Sequence, residues 1–543
     1  MVCTCDADDG SRVTAVAGPN GKTLTYSYDA ANRREALVDP DGGRTTYSYD
    51  GTSRLTSLVN PFGERTTWAY DAIGQVKTLT YGNTARATYT YDSTARTTGV
   101  RHSKADGTLL AGYEYSYNSA GTPTGVVEGN GDRVTWSYDS AYRLTREQRS
   151  GTNAYDLTYT WDGAANRLTK VASGTTTTYS YNAGDALTLE NAAGTLTTYA
   201  YDNAGNTSTQ NAAGSVTTYT WHDENRMTGL VLPSGGGTWT MAYDPSGLRR
   251  EKQAAGTTTR FIWDTVGSGG PGTVPSGAGG LSRSGASPSR LLQETDGSNA
   301  TTAHYTAGLG TYGPTVSQRR SSTSSFLHGS LLGTIEALTA ADQSVTDTYL
   351  LDAWGRQIAS SGSTTNPHRY VGALGYYAEP SLALDYVRAR WLRPSTGSWL
   401  SVDPVVEEPR YAYARSRPTL LPDASGRGMR DWMRAHWRHL FCVYASSVSP
   451  LPIPIPIGSL YDMCMEDPGL FLCVKGCFAA FLGGWGVGAA TVWVACEFVC
   501  TTTPTFMPLR AEDVATSACA SSWRHRGVVK VAGGTAGVGG GGP

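Results

Sequence analysis

Residues Arg44–Glu64 read RTTYSYDGTSRLTSLVNPFGE, and this stretch decides the fold. Tyr47 and Tyr49 are two residues apart, the spacing that places side chains on one face of a strand. Asp50 follows and opens a turn, because Asp and Asn side chains cap nearby backbone N–H groups. Leu55–Val59, LTSLV, then reads as a second strand. NPFGE closes the unit with a second turn, in which Pro61 presets φ and Gly63 tolerates a positive φ. Each unit is therefore a β-hairpin. A single hairpin cannot bury its aromatic face, so neighbouring units must stack edge to edge.

The unit recurs along the chain. Tyr28-Asp29, Tyr49-Asp50, Tyr70-Asp71 and Tyr91-Asp92 follow at steps of 21 residues, and the series continues at Tyr138-Asp139, Tyr201-Asp202 and Tyr243-Asp244. Weaker members fill the gaps: Tyr117-Asn118, Trp161-Asp162, Tyr181-Asn182, Trp221-His222 and Trp263-Asp264, which makes twelve units. Composition agrees with many short strands and tight turns. There are 65 glycines and 32 tyrosines against 9 phenylalanines, and only 17% of residues are charged. A net charge of −2 supplies no electrostatic argument for a nucleic-acid partner. The opening MVCTCDADDG has no basic segment followed by an apolar run, so no signal peptide is expected, and it reads as an entry into the middle of an array.

A 21-residue unit of the form T-x-Y-x-Y-D-x-x-G/N-R-L resembles the YD (RHS) repeat, from about Thr23 to Asp264. The resemblance implies a mainly β protein in which tandem hairpins form a curved spiral sheet that acts as a container. Residues 1–264 are expected to be this strip. Residues 265–290 form a Gly/Ser/Pro-rich linker, TVGSGGPGTVPSGAGGLSRSGASPSR.

Residues 291–426 resemble the RHS repeat-associated core. The resemblance rests on YLLDAWGRQIASSG and on NPHRYVGALGYYAEPSLALDYVRARWLRPSTGSWLSVDP. Two positions depart from the family pattern. Ser416-Arg417-Pro418 stands where Asn-Asn-Pro is usual, and Asp423-Ala424-Ser425-Gly426-Arg427 stands where Asp-Pro-x-Gly-Leu is usual. In that family the core seals the shell and often cuts the chain just beyond the last motif. The implied chemistry is that of an aspartic protease: two close carboxylates share a proton, one activating water and the other protonating the leaving group. Asp403 and Asp423 fall on the matching positions. An ordinary turn role for each is the alternative.

Residues 427–543 are a variable tail with seven of the nine cysteines. Asp431–Phe441 reads as an amphipathic helix, with Met433, Trp437, Leu440 and Phe441 on one face and Arg430, Arg434 and Arg438 on another. Gly476–Cys496 is 21 residues without a charge, long enough to span a bilayer, with a small-residue spacing at Gly484 and Gly488. Against membrane association stands a soluble helical hairpin stapled by Cys473, Cys477, Cys496 and Cys500. No metal or cofactor is expected: the CxxxC spacing is not a standard zinc knuckle, and no His lies close to these pairs. His436, His439 and His525 read as surface or packing residues, and no P-loop, HExxH or Ser/His/Asp pattern occurs in the tail.

Together these readings predict an RHS-type shell that carries its own tail as cargo, a toxin-like effector, with self-cleavage near residue 426 as its only enzymatic step. An immunity protein would be the matching partner, and the location would be secreted or cell-surface. The alternative is an adhesin whose Tyr-rich repeats bind carbohydrate or a protein. A decayed gene product is a third reading.

Overall fold

The computed structural model describes residues 5–8, 12–18, 21–266, 289–310, 313–404, 409–420 and 422–427. The expected amphipathic segment, the uncharged run Gly476–Cys496 and the cysteine pairs of the tail all lie outside these residues. The described part is β throughout, with short 3-10 turns and no α-helix. Its strands, numbered along the chain, run from β1 (Cys5–Ala7) to β36 (Ser398–Trp399). The first 32 form a single sheet that ends at β32 (Gln357–Ser361).

Each strand of this sheet pairs antiparallel with the next in sequence. The unit quoted above is typical. In β5 (Arg44–Tyr49) and β6 (Leu55–Val59), Thr46 faces Val59, Tyr47 faces Leu58 and Ser48 faces Ser57. The register then slips by one, so that Tyr49 faces Leu55. The same slip precedes the aromatic-Asp turn in later units, at Ala69/Tyr70, Ser180/Tyr181 and Ala200/Tyr201. A bulge bends and further twists its strand, so a bulge repeated at one place in each unit coils the strip in one sense.

The paired aromatics share a face, as the period-2 spacing predicts. Tyr47 is buried in a core with Leu37, Leu58, Trp68 and Leu79; Tyr49 packs on its margin, and Ser48 between them is exposed. The Asp behaves as a turn former. Asp50 Oδ1 accepts from the backbone N–H groups of Thr52 and Arg54, each at 2.9 Å, and Oδ2 accepts from Arg54 Nε at 2.7 Å.

Two further links join each unit to its neighbour. The Tyr49 hydroxyl donates to the Arg34 carbonyl at 2.7 Å, and Tyr70 does the same to Leu55. The arginine four residues after the Asp stacks on the next unit's ring, as Arg33 on Tyr49 and Arg54 on Tyr70, both at 4.6 Å. Where tryptophan replaces tyrosine, its indole N–H makes the equivalent bond: Trp161 to Leu144, Trp221 to Thr207 and Trp263 to Arg249.

The strip passes itself. Tyr26 bonds Asp264, Asn60 bonds Thr306, Asn83 bonds Thr339, His102 bonds Gly329, Tyr115 bonds Leu331 and Glu147 bonds Ala353. These partners are 206 to 256 residues apart and, apart from the inversion at Asn83–Thr339 and His102–Gly329, advance together along both stretches, so the sheet is a spiral. The linker interrupts no pairing: β25 (Thr257–Asp264) lies beside β26 (Arg290–Asp296), with Asp264 opposite Arg290. Beneath this junction Asp264 bonds both Arg34 and Arg290 at 2.5 Å, all three buried.

A separate four-stranded meander comprises β33 (Tyr377–Glu379), β34 (Leu384–Val387), β35 (Arg390–Arg393) and β36. Leu384, Tyr386 and Trp391 pack with Trp239, Met241, Phe261 and Trp263 of the strip. Val387, Leu392 and Trp399 pack instead with Leu144, Tyr159, Trp354, Tyr370, Tyr376 and Tyr413. The meander is thus covered on both faces, which is why LDYVRARWLR reads as an apolar run in spite of its arginines. Arg249 anchors it to the strip: fully buried, it bonds Glu379 at 2.8 Å and lies 4.3–5.3 Å from the rings of Phe261, Tyr377, Tyr386 and Trp391.

Candidate functional site

The two aspartates chosen from the sequence meet at one arginine. Arg390, the first residue of β35, points its Nη2 at Asp403 Oδ2, 2.7 Å away, and at Asp423 Oδ2, 2.9 Å away. All three side chains are buried, Asp423 at 1% exposure and Arg390 at 3%. Asp403 lies in the loop after β36, where its N–H bonds the Arg410 carbonyl at 2.8 Å. Asp423 opens a turn in which the Gly426 N–H returns to its carbonyl at 3.2 Å. Burying carboxylates beside a guanidinium is tolerable because the opposite charge offsets part of the lost hydration.

Arg390 also reaches the chain end of the core. Its Nε donates to the Gly426 carbonyl at 2.5 Å, and its guanidinium lies 4.1 Å above the Trp399 ring. Nη1 is buried with no hydrogen-bond partner among the described residues. Ser425 Oγ donates to Asp423 Oδ1 at 3.0 Å and accepts from the Arg427 N–H at 3.0 Å. Tyr376 donates to the Asp423 carbonyl at 2.8 Å, and Arg388 Nη1 donates to the Ala424 carbonyl at 2.6 Å.

Gly426 is held tightly. Its φ is +67°, and a Cβ there would come within 2.2 Å of the Val387 carbonyl oxygen. Only glycine fits such a conformation against such a neighbour. The segment Asp423–Arg427 is thereby pressed onto the β34–β35 turn with its polar groups engaged. A third carboxyl, Asp385, stands on the face of β34 that carries Val387; burial pushes its pKa up to about 7, with Arg369 pulling the other way.

Sequence reasoning found the two aspartates and the glycine. It missed Arg390, Ser425 and Tyr376. The signal for Arg390 was in view: two arginines, Arg388 and Arg390, inside a run otherwise fit for a doubly buried strand. The rings offered as a carbohydrate surface serve packing instead, since Tyr26, Tyr47, Trp68, Tyr113, Tyr159 and Tyr199 are all buried. Among the described residues no cluster of three His, Cys, Asp or Glu is placed to hold a metal ion, and no helix is long and apolar enough to cross a membrane.

A strip of Tyr-Asp hairpins that returns past itself and is joined to a small core sheet defines a repeat-built shell protein. The sequence matches the Teneurin YD-shell family over residues 8–148 and the RHS Repeat family over residues 201–236. Among curated proteins it is 29% identical over 146 residues to the tRNA3(Ser)-specific nuclease WapA of Bacillus spizizenii, and equally to the tRNA nuclease WapA of Bacillus subtilis. Each match takes in 25% of this chain and 6% of the relative. The crystal structure of TcdB2-TccC3-Cdc42 superposes at a TM-score of 0.54 with 16% identity, over 76% of this chain and 22% of that one. The Photorhabdus luminescens Tc holotoxin pore gives 0.55 with 17% identity, over 75% and 21%. At such identity these structures show a shared fold. The chain carries YD-shell and RHS repeats over these matched residues.

Proposed function

We propose that this chain is a shell segment that carries residues 427–543 as cargo and severs itself from them by aspartic hydrolysis, using Asp403 and Asp423 with Arg390. One observation carries the reading: a single buried guanidinium touches both carboxylates and the Gly426 carbonyl. Water entering beside them loses a proton to one carboxylate as its oxygen attacks the carbonyl carbon, and Arg390 stabilises the charge that develops on the carbonyl oxygen. The protonated carboxyl then returns a proton to the departing nitrogen.

The cargo is a toxin-like effector in this reading, released at a target cell, with a secreted or cell-surface location and an immunity protein in the producer. The WapA relatives are nucleases by name, but their matched stretch is 146 residues long and the names say nothing of residues 427–543. The TccC3 structures contain TcdB2 as a companion, so a second shell component is a fitting partner class. Membrane contact of the tail belongs to the same proposal and is tested by sedimenting residues 427–543 with liposomes.

Intact-mass measurement on the purified full chain tests the central step. Two fragments meeting between Gly426 and about Met429 are expected. Asp403→Asn and Asp423→Asn should each leave the chain whole. Cutting that survives both substitutions would remove the aspartic mechanism.

A further inference from the structure

We infer that Arg167 and Lys170 form a binding site for a carboxylate group, the counterpart of a clamp that in another unit of the strip holds Glu379. The two pairs occupy the same places in their units. Arg249 opens β24 (Arg249–Ala254), where it faces Tyr243 across the register slip while Lys252 faces Met241. Arg167 opens β16 (Arg167–Ala172), where it faces Trp161 across the slip while Lys170 faces Tyr159. The extra residue of the bulge, Arg250 in one unit and Leu168 in the other, lets positions three apart share the aromatic face.

Arg249 and Lys252 bracket one carboxylate: Arg249 Nη1 donates to Glu379 Oε1 at 2.8 Å and Lys252 Nζ to Oε2 at 2.7 Å. Arg167 has the same kind of seat. It is 2% exposed, and its guanidinium lies 4.4–5.8 Å from the rings of Tyr159, Trp161, Tyr179 and Trp354. In both arginines Nε and Nη2 have no hydrogen-bond partner among the described residues, so Nη1 makes the difference. Arg167 Nη1 donates to the Ser395 carbonyl at 3.2 Å, a neutral acceptor. Among the described residues no carboxylate pairs with Arg167 or Lys170. The acidic groups whose charge reaches Lys170 are engaged elsewhere, Asp352 with Arg356 at 3.0 Å and Glu190 with the Tyr199 hydroxyl at 2.9 Å.

The chemistry of the pair selects the ligand. Two buried cations side by side repel each other, and burial together with Arg167 lowers the Lys170 pKa to about 8. A carboxylate answers both charges at once, with one oxygen for the guanidinium and one for the ammonium. The surrounding rings keep water from the contact, which strengthens it. Lys170 is only partly buried, so an anion reaches the pair from solvent. Arg167 also lines a cavity of about 20 Å³ with Trp161, Tyr181, Gly397 and Trp399, room for one oxygen the size of a water. The ligand is a free organic acid or the acidic side chain of a polypeptide.

The test is thermal unfolding of the full chain at neutral pH, in sodium chloride and in sodium acetate of equal ionic strength. Acetate should raise the Tm of the wild type by about 2 °C or more. Arg167→Met/Lys170→Met should lose that gain and, in chloride, unfold above the wild type, because it removes buried cations that no described carboxylate pairs. Arg249→Met/Lys252→Met should unfold below the wild type in both salts, because Glu379 would stay buried without its cations. Thr177→Glu keeps the test open if the methionine variant does not fold. Thr177 faces Lys170 across the strand pair, so the new carboxylate reaches the site from within. That variant should gain stability in chloride and stop responding to acetate. Titrating acetate against acetyl-glutamyl amide identifies the source: a lower midpoint for acetate assigns a free acid, and a lower midpoint for the amide assigns an acidic side chain. Equal acetate gains in the wild type and Arg167→Met/Lys170→Met, or a Thr177→Glu chain that responds as the wild type does, overturns the inference.

Discussion

His102 and His328 face each other Nδ1 to Nδ1 at 3.1 Å across the seam where the strip passes itself, both rings buried. His102 lies on β10 (Thr97–Ser103) and His328 on β29 (Thr323–Gly329). With both rings neutral, one proton arrangement satisfies every contact. His102 Nε2 donates to the Gly329 carbonyl at 2.9 Å, so its Nδ1 accepts. His328 Nδ1 then donates, and its Nε2 accepts from the Thr339 hydroxyl at 2.8 Å. Asn83 Nδ2 closes the chain by donating to Thr339 Oγ1 at 3.1 Å. Burial favours both rings neutral, and a further proton on His102 Nδ1 would set N–H against N–H.

This pair predicts acid weakening of the seam. Burial lowers the His102 pKa from 6.5 to about 4 and that of His328 well below its usual value. A depressed histidine contributes stability above its unfolded pKa and loses it as pH falls from about 6.5 toward the folded value. His102 alone should lose about 2 kcal/mol between pH 7 and 5. Glu147 and Glu336 have the opposite sign: burial raises them to about 8 and about 7, so acid favours them. Urea unfolding at both pH values, with wild type against His102→Phe/His328→Leu, isolates the pair. Equal pH slopes for the two proteins would show that the seam does not titrate.

Removing Arg390 should destabilise the core, because Asp403 and Asp423 would remain as buried charges without their shared cation. Arg390→Ala is expected to cost about 3–5 kcal/mol. Adding Asp403→Asn and Asp423→Asn should recover much of that loss. Thermal denaturation of the four proteins reads the coupling, and strictly additive losses would argue against a shared ion cluster.

Gly426→Ala should dislodge the end of the core. The new methyl group would meet the Val387 carbonyl, and an L residue is strained at φ +67°. The expected outcome is at least a ten-fold slower cut with the strip intact. Hydrogen exchange should rise at β34 and β35 and stay unchanged at β5 and β6; unchanged exchange at β34 would mean that the contact yields cheaply.

The link between units should have a measurable strength. Tyr49→Phe keeps the ring and the Arg33 stack but loses the bond to the Arg34 carbonyl. A loss of about 1 kcal/mol is expected, read as faster local exchange in β4 (Arg34–Val38) and β5. An equal effect on distant hairpins would mean that the array unfolds as one block.

The hairpins were legible because each is made by neighbours: period-2 aromatics, an Asx-type turn and a Pro-Gly turn all fall within 21 residues. The spiral was legible only through family resemblance. Its seam joins Asn83 to Thr339, and Glu147 to the Ala353 backbone N–H, more than 200 positions apart, and neither member of a pair is unusual by itself. The tyrosine-to-carbonyl bonds were hidden for a different reason: the acceptor is backbone, which leaves no mark in side-chain identity. The site was half legible. Asp403 and Asp423 were found by motif, but the guanidinium that unites them sits in a strand whose pattern speaks of burial.

Because every strand of the long sheet pairs with its immediate successor, the wall can be laid down in the order in which the chain is synthesised or threaded. No early strand waits for a late one to complete its ladder, so non-local closure is deferred to the docking of finished hairpins. The His102 region cannot find His328 until more than 200 further residues have emerged. The meander with Arg390 comes next, and residues 427–543 follow it. Whatever those residues do, they leave the ribosome after the described strip and meander have had time to assemble.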